Sequence, residues 1–361
     1  MKKLLPNMTK KWKQFTAMLT LAAVLTAATG CGGSTESSTA SDSVKDTTAA
    51  ADSSSEQEGD LNQATELRIA TQPVPAYLPL WLTNEKGWLE EALKEAGYEN
   101  VKVTFTEFES GPPENESFAA GQQDIGVMGN VPSIGGLAAG QKRTFIGISE
   151  NGEKTEAILV PPDSDIKSVA DLKGKKIGLV VGSIVQNLLY NLLKEEGLTL
   201  DDVEQLNLAT GEQLEALATG QVDAIATWQP MIAQIENEGV GKVLADGSGG
   251  VFLAENTIFA QDDYLAENPD IVRIVMEQYA RGAKEVKDNL DQYAKDYADK
   301  YGLTEELLKA ALVDAQFPIA IEDVDVEDLQ GTADFLYEQG LIKTEVNVSE
   351  HTNNSFNDAV K

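Results

Sequence analysis

Cysteine occurs once in the 361 residues, at position 31, and histidine once, at position 351. A single cysteine excludes an intrachain disulfide. With one histidine, placed in a polar C-terminal stretch, neither a zinc-ligand cluster nor a Ser-His nucleophile can be assembled in the body of the chain. No metal, cofactor or catalytic residue is therefore expected, and the chain is read as a non-enzyme. Arginine is also scarce: Arg68, Arg143, Arg273 and Arg281 are the whole set. None falls in a predicted strand-to-helix loop, so a bidentate arginine clamp on an anion is not expected. Positive charge is short overall, with a formal net charge of −31. Such a body is repelled by nucleic acid and by anionic lipid. Beyond the first thirty residues no stretch is apolar enough to span a membrane. Acidic residues are plentiful but spread over predicted helix faces, the usual solvated pattern.

What is present begins with a leader. Lys2, Lys3, Lys10, Lys11 and Lys13 precede an apolar run from Phe15 to Thr29, which has signal-peptide length. Cys31 follows Ala28-Thr29-Gly30 directly, and this resembles the lipobox of bacterial lipoproteins. The resemblance implies cleavage before Cys31 and a diacylglyceryl group on its sulfur. Residues 1–30 are then a lipoprotein signal peptide. Residues 31–64, rich in Ser, Thr, Asp, Glu and Ala, read as a disordered tether, because they cannot bury enough apolar surface to offset ordering. The expected location is the extracytoplasmic face of a bacterial cell membrane.

From Leu67 the pattern alternates strands and helices. Strands are predicted at Leu67–Ala70, Val101–Phe105, Asp124–Met128 and Arg143–Ile148, with helical spacing over Tyr77–Glu95 broken at Gly87. A second α/β run follows: Ala157–Val160, Lys176–Val181, Val203–Leu208, Val222–Ala226 and Lys242–Ala245 as strands, with helices at Ile184–Glu196, Glu212–Thr219 and Pro230–Glu238. Val251–Ala260 is strand-like, and helices are predicted at 269–299, 305–315 and 327–339. Two segments echo each other. Gly121-Gln122-Gln123-Asp124 and Gly220-Gln221-Val222-Asp223 each close a helix and lead into a strand and a Pro-bearing turn. The echo suggests two lobes of related build.

The stretch Glu107–Gly140 holds two strand-to-helix loops close together, and in open α/β sheets such loops sit where ligands bind. Ser110-Gly111 and Gly182-Ser183 can present backbone N–H groups to an anion at helix N-termini, or simply start their helices. Asn130 can cap a helix or face a ligand. Trp228 can pack a hinge or wall a cleft. Gln72 and Tyr77 flank the first loop, and Gln186 lies one turn into the helix after Gly182. Glu109 and Glu150 lie near predicted strand ends, where they would repel an anion or meet an amine.

Taken in order, several motifs resemble the extracytoplasmic solute-binding proteins of ABC importers, of the nitrate, sulfonate and taurine type. They are Ala70-Thr71-Gln72-Pro73, Ala76-Tyr77-Leu78-Pro79-Leu80, Glu85-Lys86-Gly87-Trp88, Phe108-Glu109-Ser110-Gly111-Pro112-Pro113, Gly121-Gln122-Gln123-Asp124-Ile125-Gly126, Glu156-Ala157-Ile158-Leu159-Val160-Pro161, Asp171-Leu172-Lys173-Gly174-Lys175-Lys176, Gly182-Ser183, Gly220-Gln221-Val222-Asp223, Trp228-Gln229-Pro230 and Glu267-Asn268-Pro269. The resemblance covers residues 66–315. It implies an α/β, two-lobe periplasmic-binding-protein fold of type II, with a cleft between lobes joined by two crossing strands near Ala157–Val160 and Val251–Ala260. Residues 65–156 and 251–345 would form lobe 1, 157–250 lobe 2, and 346–361 a polar tail. The implied ligand residues are Gln72, Tyr77, Ser110, Gly111, Asn130, Gly182, Ser183, Gln186 and Trp228, with Cys31 lipidated. The implied role is a monomeric, lipid-anchored receptor that hands a small solute to the transmembrane subunits of an ABC permease. An aliphatic sulfonate, taurine or nitrate is the first expectation. A pyrimidine or thiamine precursor, another small organic solute, or an enzyme of the pyrimidine-synthase-like branch is the alternative.

Overall fold

The computed structural model describes residues 66–357. The expected leader, Cys31 and the tether lie outside the described residues. The first run of elements is β1 (Glu66–Thr71), a 3₁₀ turn (Pro75–Tyr77), α1 (Leu78–Glu85), α2 (Trp88–Glu95), β2 (Lys102–Glu107), α3 (Gly111–Ala119), β3 (Ile125–Gly129), α4 (Asn130–Ala138) and β4 (Arg143–Glu150). The second is β5 (Glu156–Val160), a 3₁₀ turn (Val169–Leu172), β6 (Lys176–Leu179), α5 (Ile184–Glu195), β7 (Glu204–Asn207), α6 (Thr210–Ala218), β8 (Ala224–Trp228), α7 (Met231–Asn237) and β9 (Lys242–Asp246). Then come β10 (Asn256–Gln261) and the helices α8 (Asp262–Glu267), α9 (Pro269–Asp288), α10 (Leu290–Tyr297), α11 (Glu305–Asp314) and α12 (Asp323–Glu338).

The strands form two five-stranded sheets, ordered β2-β1-β3-β10-β4 and β7-β6-β8-β5-β9. In each, three parallel strands are followed by one antiparallel strand, β10 or β5. That strand enters directly after the chain passes over from the other sheet. The apolar runs predicted from the sequence are these strands, and β3, β5 and β8 are buried along their whole length. Gly126 in β3 has a packing reason: a Cβ there would meet the Phe118 ring at 2.6 Å and Glu114 Oε1 at 2.9 Å.

The internal echo holds at the level of hydrogen bonds. Asp124 Oδ2 accepts the Arg68 N–H at 2.8 Å, and Asp223 Oδ2 accepts the Lys176 N–H at 2.8 Å. In return the Asp124 N–H donates to the Arg68 carbonyl and the Asp223 N–H to the Lys176 carbonyl. Each aspartate thus clamps the loop before β3 or β8 onto the beginning of the neighbouring parallel strand.

Several boundaries differ from expectation. Gly87 does divide the first helical stretch, with φ +69 between α1 and α2. The long helix expected at 269–299 breaks at Asn289 into α9 and α10. Ala157–Val160 and most of the strand in Val251–Ala260 are integral to sheets instead of crossing between them. The chain passes from one sheet to the other at 151–155 and 247–255. The polar segment at 346–357 returns to the first sheet, where Asn357 Nδ2 donates to the Ile146 carbonyl at 2.8 Å and Phe356 is buried. The second half of the chain also meets the C-terminal helix: Asn187 Nδ2 of α5 donates to Thr332 Oγ1 of α12 at 2.9 Å, and Tyr190 packs on Phe335 at 4.2 Å between ring centroids.

Candidate ligand-binding site

The carboxyl ends of β1, β3 and β8 and the loop after β6 converge on one cavity of ≈ 40 Å³ between the sheets. This is where an open α/β sheet places its ligands. The loop after β1 supplies Gln72 and the 3₁₀ turn through Tyr77. Gly111 opens α3, Gly129 ends β3, Ser183 and Ile184 start α5, and Trp228 ends β8. Across this cavity the two halves approach closely. A Cβ on Gly129 would lie 2.9 Å from Ile184 Cβ.

Five of the nine expected ligand residues line the cavity: Gln72, Tyr77, Gly111, Ser183 and Trp228. The other four have different neighbours. Ser110 is buried just before α3. Asn130 is the first residue of α4, with Gly129 in the cap position, and its Oδ1 accepts the Val131 N–H at 2.8 Å. It lines a separate polar cavity against α5 and α12. Gly182 takes φ +79, a conformation that favours glycine, and donates its N–H to Gln186 Oε1 at 3.0 Å. Gln186 Nε2 donates to Gln205 at 2.7 Å, so its amide is used within its own half of the protein.

The helix starts differ in what they offer an anion. Pro112 and Pro113 remove two of the N–H groups at the start of α3. At α4 the Asn130 N–H is taken by the Glu255 carbonyl and the Val131 N–H by Asn130 itself. At α5 the Ser183 hydroxyl turns back to the Val180 carbonyl at 2.6 Å and does not cap the helix. The N–H groups of Ile184 and Val185 have no acceptor among the described residues. α5, at twelve residues, is the start with donors and dipole both available.

The remaining wall is acidic and polar, and sequence reasoning mostly missed it. Glu150, Thr155, Glu156, Gln229 and Asn256 line the cavity, as do Ala311 and Ala315. Asn256 Nδ2 donates to Glu150 Oε2 at 2.6 Å, and the Tyr77 hydroxyl donates to Asn256 Oδ1 at 2.7 Å. Thr155 Oγ1 donates to Glu156 Oε2 at 2.6 Å. Burial pushes the Glu156 carboxyl up to about 8. It raises Glu150 well above the usual carboxylate range, and the neighbouring Glu156 charge adds to this. Behind the cavity Gln72 Nε2 donates to Glu114 Oε2 at 2.8 Å, and burial pushes Glu114 up to about 8. Arg143 partly offsets that, from a position stacked 4.3 Å from the Phe259 ring centroid. Among the described residues no Lys or Arg lines the cavity. Glu150 was visible as an acid near a strand end, and β4 runs two residues further than expected to bring it inside. Glu109, its counterpart in the sequence reading, is exposed. Glu156 had one signal: a charged residue opening the apolar run Glu156-Ala157-Ile158-Leu159-Val160.

Comparison with known proteins decides the family. A model described as NMT1/THI5 like matches residues 74–292. The chain belongs to the NMT1/THI5-like family. Within it, a Bacillus subtilis (strain 168) protein named for binding aliphatic sulfonates is 31% identical over 300 residues, covering 82% of this chain and 89% of its own. A similarly named Escherichia coli (strain K12) protein is 30% identical over 266 residues, covering 72% and 81%. Among solved structures, the alkanesulfonate-binding protein SsuA of Xanthomonas axonopodis pv. citri, bound to MOPS, superimposes with a TM-score of 0.73 at 28% identity, over 81% of this chain and 99% of that one. These relatives are named as binding proteins and not as enzymes. The two-sheet α/β architecture of this NMT1/THI5-like chain is the periplasmic-binding-protein fold of such neighbours.

Proposed function

We propose that this protein is the lipid-anchored solute receptor of an ABC importer, capturing a sulfonate-bearing solute in the cavity between its two sheets and delivering it to the permease. The carrying observation is the cavity itself, walled by strand-end loops from both sheets and edged by the uncapped start of α5. The Ile184 and Val185 N–H groups supply donors for sulfonate oxygens where no arginine is at hand. The names of the two curated relatives support this ligand class. Residues 65–156 with 251–345 act as one lobe and 157–250 as the other. They open by bending at 151–155 and 247–255, and ligand selects the closed arrangement. The expected Cys31 lipid holds the receptor, as a monomer, at the outer face of the membrane.

A thermal-shift screen of the body without its leader tests the ligand class. The panel is a set of alkanesulfonates, taurine, MOPS, nitrate, sulfate and pyrimidines. A ligand at a hundredfold excess over its Kd stabilises the folded state by about 2.7 kcal/mol, a clear rise in midpoint. A rise with sulfonates is expected. A rise with pyrimidines alone, or turnover of any panel member, overturns the reading.

A further inference from the structure

The floor of the cleft lies where the chain passes between the sheets, and it carries two buried carboxyl groups with no cation. Glu150 closes β4, Glu156 opens β5, and both are almost wholly buried. Glu150 spends one oxygen on the Asn256 amide, and its Oε1 has no partner. The Tyr77 hydroxyl holds that amide in place by donating to its oxygen, which leaves the amide nitrogen facing Glu150. Glu156 spends one oxygen on Thr155. Two carboxyls held this way, at the wall of a cavity, carry a desolvation cost that a cation in the cavity would offset.

An aromatic wall stands beside them. Glu156 and Trp228 are direct partners across the antiparallel pair β5 and β8. Directly opposed residues project from the same face of a sheet, and both line the cavity. Carboxylates next to an indole face suit an ammonium group, which gains from both.

We propose that Glu150 and Glu156, with Asn256 and Trp228, form a receptor for a protonated amine, so that the solute is a zwitterion or a cation and not a simple anion. This deepens the sulfonate reading and rests on it only for the solute's other end. The amine sits at the floor, and the sulfonate points to the start of α5.

The pH behaviour separates this from the obvious competitor, in which neutral carboxyl groups donate hydrogen bonds to sulfonate oxygens. Burial raises both carboxyls, Glu156 to about 8 and Glu150 well above the usual carboxylate range. The groups facing them are the Tyr77 hydroxyl from the 3₁₀ turn, the Tyr279 hydroxyl from α9, which donates to the Ser149 carbonyl, Thr155 before β5, Asn256 of β10, and Glu114 of α3 beyond Gln72. None of these is a cation. An ammonium needs ionised carboxylates, so its binding expels protons and strengthens as pH rises from 6 to 8. Anion binding by neutral carboxyls takes protons up and weakens over the same range.

Isothermal titration of the leaderless protein would compare 3-aminopropanesulfonate, propanesulfonate and propylamine. Each is titrated at pH 6 and pH 8, in two buffers of different ionisation enthalpy. The aminosulfonate is expected to bind at least about tenfold tighter than propanesulfonate, the effect of one charge-assisted hydrogen bond, with net proton release. Glu150→Gln and Glu156→Gln should erase that preference and raise propanesulfonate affinity. Thermal melts confirm that both variants fold. Equal or tighter binding of propanesulfonate with proton uptake overturns the amine receptor while leaving the sulfonate reading standing. Binding of propylamine without either sulfonate does the reverse. Binding of none of the three overturns both.

Discussion

Gly129 ends β3 where it faces Ile184 of the other half across the cavity, and substituting it tests whether that contact belongs to a closed arrangement. A Cβ built there lies 2.9 Å from Ile184 Cβ and 3.4 Å from both Ile184 Cδ1 and Cγ2. Carbon atoms prefer about 3.5–4.0 Å, so Gly129→Ala forces the halves apart by several tenths of an ångström or displaces Ile184. The backbone does not object, because Gly129 has φ −60 and ψ 160, which alanine adopts freely. The variant should therefore fold normally. Alanine also narrows the unfolded ensemble, which adds about 0.4–1 kcal/mol to the stability of any arrangement where the contact is open.

The cost falls on the closed arrangement alone. Overpacking of this kind costs about 1–3 kcal/mol. If ligand binds only the closed form, that penalty appears in full in the dissociation constant, a weakening of roughly 5- to 150-fold. Titration calorimetry with the tightest sulfonate of the panel reads the affinity, and small-angle scattering with and without ligand reads the compaction. Ile184→Ala in the same background removes the atoms that clash and should restore much of the loss, giving a coupling energy by double-mutant cycle. An affinity within twofold of the parent, with the same ligand-induced compaction, would refute the idea that Gly129 and Ile184 meet only on closure.

Trp228→Ala should keep the fold and lose about 0.5–1.5 kcal/mol of binding, roughly 2- to 13-fold by titration; unchanged affinity would make Trp228 a packing residue only. The empty protein should melt at a lower temperature at pH 8 than at pH 5. Glu114, Glu150 and Glu156 are all raised on folding, so the folded state binds more protons across that window and stability falls as pH climbs through it. Differential scanning calorimetry checks this, and the double variant Glu150→Gln, Glu156→Gln should flatten the profile. Arg143→Ala should destabilise by about 2–5 kcal/mol in urea, because it empties a fully buried position between two phenylalanine rings and leaves Asn115 Oδ1 without its donor. A midpoint unchanged in that titration would mean that the site collapses around the smaller side chain without cost. Cys31→Ser should release the protein from membrane pellets to the medium in fractionation, and retention in the pellet would sink the lipid anchor.

The fold was legible because the body is built from short apolar runs bounded by Gly, Pro and Asn. Nearly every predicted strand exists within two or three residues of its place. The echo of Gly121–Asp124 in Gly220–Asp223 was readable as sequence, and its cause is the paired aspartate clamp. The cleft was only half legible. Loops carrying glycine advertise themselves, so Gly111 and Ser183 could be found. Gln186 carried the same local signal, and its amide is consumed by Gly182 and Gln205. Which polar group a neighbour consumes is a fact of three dimensions. Glu156 and Asn256 were hidden for another reason. They open strands whose other residues are core, and a strand's first residue looks like loop until its partner strand is known.

The placement of those two residues follows from the topology. In each sheet the strand that enters directly after a crossing, β5 or β10, lies antiparallel between two strands of that sheet. Its first residue is therefore set beside the carboxyl ends of the parallel strands, where a ligand sits. It is also the first fixed residue after the crossing segment. Glu156 and Asn256 hold these equivalent positions, and Glu150 is the last fixed residue before the first crossing. A charge at such a point is anchored to a sheet and adjoins the crossing segment at the same time. A cation bound there would join Glu150 of one sheet to Glu156 of the other across the 151–155 crossing. Recognition of the solute's nitrogen and closure of the cleft would then be a single event. This is why the Gln variants at 150 and 156 are expected to weaken ligand-induced compaction together with affinity, whereas Trp228→Ala should weaken affinity and leave compaction at saturating ligand intact.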